Sequence, residues 1–175
     1  KVAANTERND VTYRFYTIDS PTVNAFALPG GYVYVTRGLL ALANSEAELA
    51  AVIGHEIGHI TARHAAERMS TGALAGLGAA VVGIASRNAA IGQAANLGSN
   101  LYVSSYSRGQ EHESDTLGVR YISRAGYDPL AMSDFLRSLD AQSKLESGGK
   151  SEFSYFSSHP LTAQRVSQAR AEATK

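Results

Sequence analysis

SEAELAAVIGHEIGHITARHAAERMS, residues 45–70, has the spacing of a single helix and carries the pattern H-E-x-x-H at His55, Glu56 and His59. Ser45 with Glu48 three positions on makes a capping box, and Leu49, Val52, Ile53, Ile57 and Ile60 recur at helical spacing, so one face is apolar. Positions four apart on a helix differ by about 40° around the axis and about 6 Å along it, which sends both imidazoles from one face toward one ion. Glu56 lies about 100° round from His55, so its carboxylate stands beside the rings, placed to take a proton from an attacking water. Two ordinary half-buried histidines are the competing account. Against it stand the Glu in the required position and the pair Gly54 and Gly58, each costing about 0.5–1 kcal/mol relative to Ala in a helix interior and so asking for a close neighbour as its reason. His64 falls about 140° round from His59 and is expected at the surface.

Outward from this stretch, composition narrows the classes. The 175 residues suffice for one domain with a sizeable core, and neither an internal repeat nor a second domain is visible. The 16 basic and 16 acidic side chains cancel, so no field invites nucleic acid or an anionic membrane. With no Cys, disulfides and thiolate ligands are excluded, and metal binding falls to His and carboxylates. The polar start at Lys1 lacks a signal-peptide pattern and reads as processed or trimmed.

In chain order, residues 1–10 read as a loose lead-in, and V-T-Y-R-F-Y-T from Val11 alternates as a strand. A second strand from Val23 to Leu28, a Pro29-Gly30-Gly31 turn and a third strand from Tyr32 to Thr36 form a hairpin. Asn24, Ala25, Phe26 and Ala27 are either an ordinary sheet edge or an edge that binds an extended peptide by strand addition. Gly38 to Leu42 is a short helical turn before the metal helix. From Ser70 the chain turns small, apolar and Gly-rich; spanning a membrane takes about 20 mainly apolar residues, so the run to Leu101 is expected to be a helical hairpin, mobile or packed, with a lid or membrane-touching role left open. A second long helix is expected from Ser104 to Ala125, stopped by Gly126. Asp128 and Pro129 then open a third, reaching about Gln142. Ser147 to Ser151 is a loop, and a last helix follows Ser158-His159-Pro160.

A catalytic zinc site needs three protein ligands and an open position, so a third ligand must join the two imidazoles. Glu111-His112-Glu113-Ser114-Asp115 offers the best cluster: on a helix Glu111 and Asp115 share a face while Glu113 points nearly opposite. That places Glu111 on the metal and Asp115 behind it, accepting from a ligand imidazole; a solvated acidic face is the alternative.

These motifs together resemble a known family. His55-Glu56-Ile57-Gly58-His59, Glu111-x-x-Ser114-Asp115 and His159-Pro160 with Arg165 are similar to the zinc endopeptidases of the HtpX and CAAX prenyl endopeptidase type, most of all to their soluble periplasmic, BepA-like members. Asn24-Ala25-Phe26-Ala27-x-Pro29-Gly30-Gly31 and Gly126-Tyr127-Asp128-Pro129 extend the resemblance over nearly the whole chain, with Ser114 where the family has Ala. The resemblance implies an α+β, mainly helical gluzincin domain with a small sheet whose edge strand lines the active-site cleft. It further implies one Zn2+ per chain, Glu111 as third ligand, and His159 and Arg165 near the metal. His159 would steady the oxyanion or reach the metal and plug the open position. Protein or peptide substrates, a bacterial periplasmic or envelope setting, and quality control of misfolded protein are implied as well. A latched, chaperone-like module that rarely turns over is the rival.

Overall fold

The computed structural model describes residues 1–71, 105–145 and 155–175. Three strands, β1 (Arg14–Ile18), β2 (Ala25–Leu28) and β3 (Tyr32–Thr36), form a sheet of order β1-β3-β2. The hairpin is present: β2 runs antiparallel to β3 across a turn in which Gly30 and Gly31 take φ of 91° and 93°, open to glycine at little cost. β1 lies parallel to β3, and its ladder begins where β3 does, at Arg14 opposite Tyr32. The strand therefore starts three residues later than its alternating pattern suggests, because a strand exists only where a partner runs beside it. Val33 and Val35 point into the core while Tyr34 faces out and stacks between Tyr16 and Phe26 at 5.2 and 4.9 Å.

Apart from a helical stretch at 64–71, the helices within the described residues are α1 (Arg37–Leu42), α2 (Glu46–Thr61), α3 (Arg108–Arg124), α4 (Ala131–Leu145), α5 (Tyr155–Ser158) and α6 (Ala163–Ala173). The molecule thus has the expected mainly helical α+β architecture. Thr36 ends β3 and caps α1, and Ser45 caps α2 by accepting from Glu48 N at 3.1 Å. The return arm of the capping box lands one residue early, since Glu48 accepts from Asn44 N at 2.9 Å.

α2 is not the single helix expected over 45–70. Arg63 adopts φ 60°, the backbone reverses its twist, and helix resumes at 64–71. The lead-in is not loose: Val2–Asn5 form a 3-10 turn, Val2 is buried in the core, and Glu7 accepts from Tyr121 Oη at 2.6 Å and Arg124 Nη1 at 2.8 Å. The Gly- and Ala-rich run to Leu101 lies, from residue 72, outside the described residues, as does the 147–151 loop.

α2 is the hub, packed on α3, α4, β2 and β3. Its crossing with α3 is a backbone contact: a Cβ on Gly58 would sit 2.6 Å from Ser114 Oγ and 2.9 Å from Ser114 O, and one on Gly118 would sit 3.0 Å from His55 N. The close neighbour that the helix glycines ask for is therefore α3. No helix among the described residues is long and apolar enough to cross a membrane.

Candidate metal centre

Because α2 and α3 touch at backbone distance, the side chains of their facing turns converge. His55, Glu56 and His59 from α2, Glu111 and Asp115 from α3, His159 just after α5 and Arg165 on α6 are all buried in one place. His55, His59, Glu111 and His159 offer one donor atom each, all within 4.8 Å of one another. His55 Nε2 lies 3.0 Å from His59 Nε2 and 3.2 Å from His159 Nδ1, while Glu111 Oε1 lies 2.9 Å from His159 Nδ1 and 3.2 Å from His59 Nε2. The acidic run is not a solvated face at these two positions, although Glu113 on the opposite side is exposed.

Hydrogen bonds fix the rings. Asp115 Oδ1 is 2.8 Å from His55 Nδ1, and a carboxylate only accepts, so Nδ1 carries the proton and Nε2 turns a lone pair to the centre. Asp115 is itself gripped by Arg165 through Nε and Nη2, both at 2.8 Å, and Arg165 Nη1 reaches Glu111 Oε2 at 2.5 Å. Arg165 thus meets the site through the two carboxylates it positions. Ser114 Oγ donates to the carbonyl of His55 at 2.5 Å, a bond that Ala could not make.

Burial and charge act in opposite senses here. Burial drives His59 well below its ordinary range, so it is neutral. For His55 burial also works against the charged form, but Glu111 and Asp115 outweigh it and raise the group. Burial would raise Glu111, yet the charges of His159 and His55 hold it well below the usual carboxylate range. Burial raises Glu56, and neither of its buried oxygens has a hydrogen-bond partner among the described residues. His159 Nε2 stands 3.5 Å from Glu56 Oε1.

The donor set fits a zinc-type cation. Three imidazole nitrogens and a carboxylate, without thiolate, match the ligand chemistry of that ion. The bare His55 Nε2 faces two further imidazole nitrogens at 3.0 and 3.2 Å, beside the buried Glu111 carboxylate, a convergence of potential acceptors that a cation would satisfy. The cluster is therefore suited to coordinating a metal.

Around it, β2 is an edge strand, as expected. Asn24 O accepts from Thr36 N at 3.0 Å, so ladder alternation turns the backbone of Ala25 and Ala27 to the free edge. Just before β2 the same edge is in use, since Val23 O accepts from Tyr155 N at 3.0 Å. Ala27, Leu28 and Pro29 line, with His59, Ile60 and Arg63, a largely apolar cavity of about 190 Å³. Asn24 and Ala25 are buried and Phe26 half-buried.

Three residues of this region were not anticipated in these places. His64 is buried rather than at the surface: the kink at Arg63 swings it back so that its Nδ1 lies 2.9 Å from His59 Nδ1. Tyr106 stacks on His59 at 3.7 Å and Tyr155 on His159 at 4.3 Å. Burial pushes the Tyr106 hydroxyl up to about 12. An aromatic two residues before a helix start was the only signal for Tyr106, and a non-glycine residue at positive φ leaves none for the kink.

The chain is 33% identical over 184 residues to the beta-barrel assembly-enhancing protease of Yersinia pestis, covering 100% of this chain and 37% of that protein. It is 35% identical over 164 residues to the mitochondrial metalloendopeptidase OMA1 of Arabidopsis thaliana, covering 93% and 32%. To the metalloprotease LoiP of Escherichia coli K12 it is 33% identical over 171 residues, covering 95% and 64%. The chain thus spans between about a third and two thirds of these relatives' length. Bacterial and mitochondrial relatives are about equally distant, so the expected preference for BepA-like members does not hold. The family profile described as peptidase family M48 matches residues 1–173, and with the H-E-x-x-H helix and its clustered donors in view, the chain belongs to that family.

Proposed function

We propose that the protein is a zinc endopeptidase that hydrolyses extended or misfolded protein segments, with His55, His59 and Glu111 as the metal ligands and Glu56 as general base. The observation that carries this is the buried Glu56 carboxylate, without a hydrogen-bond partner among the described residues, beside a convergent set of His and Glu donors. When bound, the cation lowers the pKa of a coordinated water from about 15.7 toward 7 and polarises the scissile carbonyl. Glu56 accepts the proton of the attacking water on its carboxylate and passes it to the leaving amine nitrogen; its raised affinity for protons suits that exchange. Asp115 holds the His55 tautomer, Arg165 holds Asp115 and Glu111, and Tyr106 shields one face of His59.

Substrate lies extended against the free edge of β2 near Asn24 to Ala27, paired through backbone groups and therefore indifferent to most sequences, with one apolar side chain in the cavity beside His59. A bacterial cell-envelope setting, with misassembled envelope proteins as targets, belongs to this reading; what supports it is the similarity to a protease named for enhancing beta-barrel assembly.

One observation favours a latched state. His159 Nδ1 is a fourth donor in the cluster, and four protein donors complete a tetrahedral set that leaves no open position. His159 then acts as a plug that must withdraw before water and substrate enter.

Zinc content and casein cleavage, compared between wild type and Glu56→Gln, test the proposal. Expected are retained zinc in both and a loss of about 10²-fold or more in cleavage for the variant. Wild type that binds zinc yet cleaves no better than Glu56→Gln favours the latched, chaperone-like module; wild type without zinc overturns the peptidase.

A further inference from the structure

His55 and His59 are held in different ways, and the difference points to residues that the reaction itself does not use. His55 Nδ1 meets a carboxylate directly, Asp115 at 2.8 Å. His59 Nδ1 meets instead a second imidazole, His64 Nδ1 at 2.9 Å, and the far nitrogen of that ring lies 3.3 Å from Glu113 Oε2. His64 is buried, whereas the Glu113 side chain is 60% exposed.

We propose that Glu113 and His64 form a relay that dictates which nitrogen of His59 is bare, and thereby sets how tightly the cluster binds its cation. This rests on the zinc reading above. A carboxylate can only accept, so His64 donates to Glu113 from Nε2. A neutral His64 protonated there has a bare Nδ1, which can only accept, and His59 Nδ1–H must supply the proton. His59 Nε2 is then bare, 3.0 Å from His55 Nε2 and 3.2 Å from Glu111 Oε1, as a ligand must be. Two imidazoles alone would leave the choice open. The opposite arrangement lets His59 Nε2–H donate to Glu111, a favourable bond for a buried carboxylate, and it has to be undone before a cation binds. Glu113 breaks that degeneracy, because the opposite arrangement turns a bare His64 Nε2 against its carboxylate. The left-handed kink at Arg63 makes the contact possible, since on an uninterrupted helix position 64 would turn away from position 59. His64 and Glu113 are thus positioning residues.

Zinc affinity measured by competition with a chromophoric chelator tests this on wild type, His64→Phe, His64→Gln and Glu113→Leu, with melting curves of each metal-free protein. Outer-shell partners of metal-bound histidines are commonly worth 10–100-fold in affinity, and a loss of about that size is expected for His64→Phe, which fills the space but accepts nothing. His64→Gln offers a carbonyl oxygen to His59 Nδ1–H and should recover most of the loss. Glu113→Leu, at an exposed position, should weaken binding about threefold or more without altering the metal-free melt. In nitrogen-15 spectra of the zinc-loaded wild type, the His59 Nδ1-bound proton should appear as a downfield signal that His64→Phe loses. Equal affinity of wild type and His64→Phe overturns the relay, as does His64→Gln falling as far as His64→Phe. If His64→Phe fails to fold, Glu113→Leu decides, and wild-type affinity in that variant overturns it. A wild type that binds no zinc overturns both the relay and the function it rests on.

Discussion

Arg165 is the residue on which the charge balance of the centre turns. It is 4% exposed and pairs with two buried carboxylates, Asp115 and Glu111. Removing one partner of a buried pair costs about 3–5 kcal/mol, because the charge left behind has no water to turn to. Arg165→Leu should therefore lose about 3 kcal/mol of stability in metal-free protein and distinctly less with zinc bound, where the cation takes over the charge of Glu111; urea unfolding with and without zinc measures both, and equal losses would show that Arg165 serves Asp115 alone. His159→Ala removes the fourth donor, and casein cleavage should rise severalfold; a fall would assign His159 to the oxyanion instead. His55, Glu56 and His59 were legible as a site because their relation lies within one helical turn. Glu111 and Asp115 were legible to the extent that a four-residue spacing puts both on one face. Residue identity showed His159 and Arg165 only through resemblance, since neither shares a helix with the other donors.

Among the elements, the crossing of α2 and α3 governs the site. Gly58→Ala would drive a methyl into Ser114 Oγ and the Ser114 carbonyl, and a backbone atom cannot step aside as a side chain does. Overpacking of this kind costs about 1–3 kcal/mol. The separation of the helices should also move Glu111 away from the imidazoles, so the melting temperature and the zinc affinity of this variant are expected to fall together. A drop in stability with unchanged affinity would mean that α3 accommodates the methyl without shifting its acidic turn. The hydrophobic spacing of α2 and the cap at Ser45 marked the start of this element correctly, but not its end. Apolar and polar residues keep a helical rhythm through Thr61, Ala62 and Arg63, and the reversal there goes with the contacts of His64 to His59 and, across to α3, to Glu113. β1 starts later than its pattern suggests for a related reason, since alternation from Val11 says nothing about where β3 begins.

At the scale of the whole molecule, the first residues are tied to α3 by Glu7, whose carboxyl is lowered from 4.5 to about 2, chiefly by the Tyr121 hydroxyl and further by Arg124. A depressed carboxylate adds stability that is fully present above its unfolded value and lost as the pH falls through the folded one. The side chain is 46% exposed, so screening reduces the contribution to about 1 kcal/mol. Glu7→Gln should thus melt below wild type at pH 7, with the gap closing as the pH is taken from about 4.5 down to 2; a gap that persists at the lowest pH would mean that the charge is not what ties the segment down.

The donors that meet at the centre are far apart along the chain, His55 and His159 by 104 positions. During synthesis the first two imidazoles leave the ribosome well before the acid that completes them, and the fourth donor emerges later still. On the proposed reading a nascent chain therefore brings its three metal ligands together only after Glu111 has followed His59 out of the ribosome, and that delay is built into its topology.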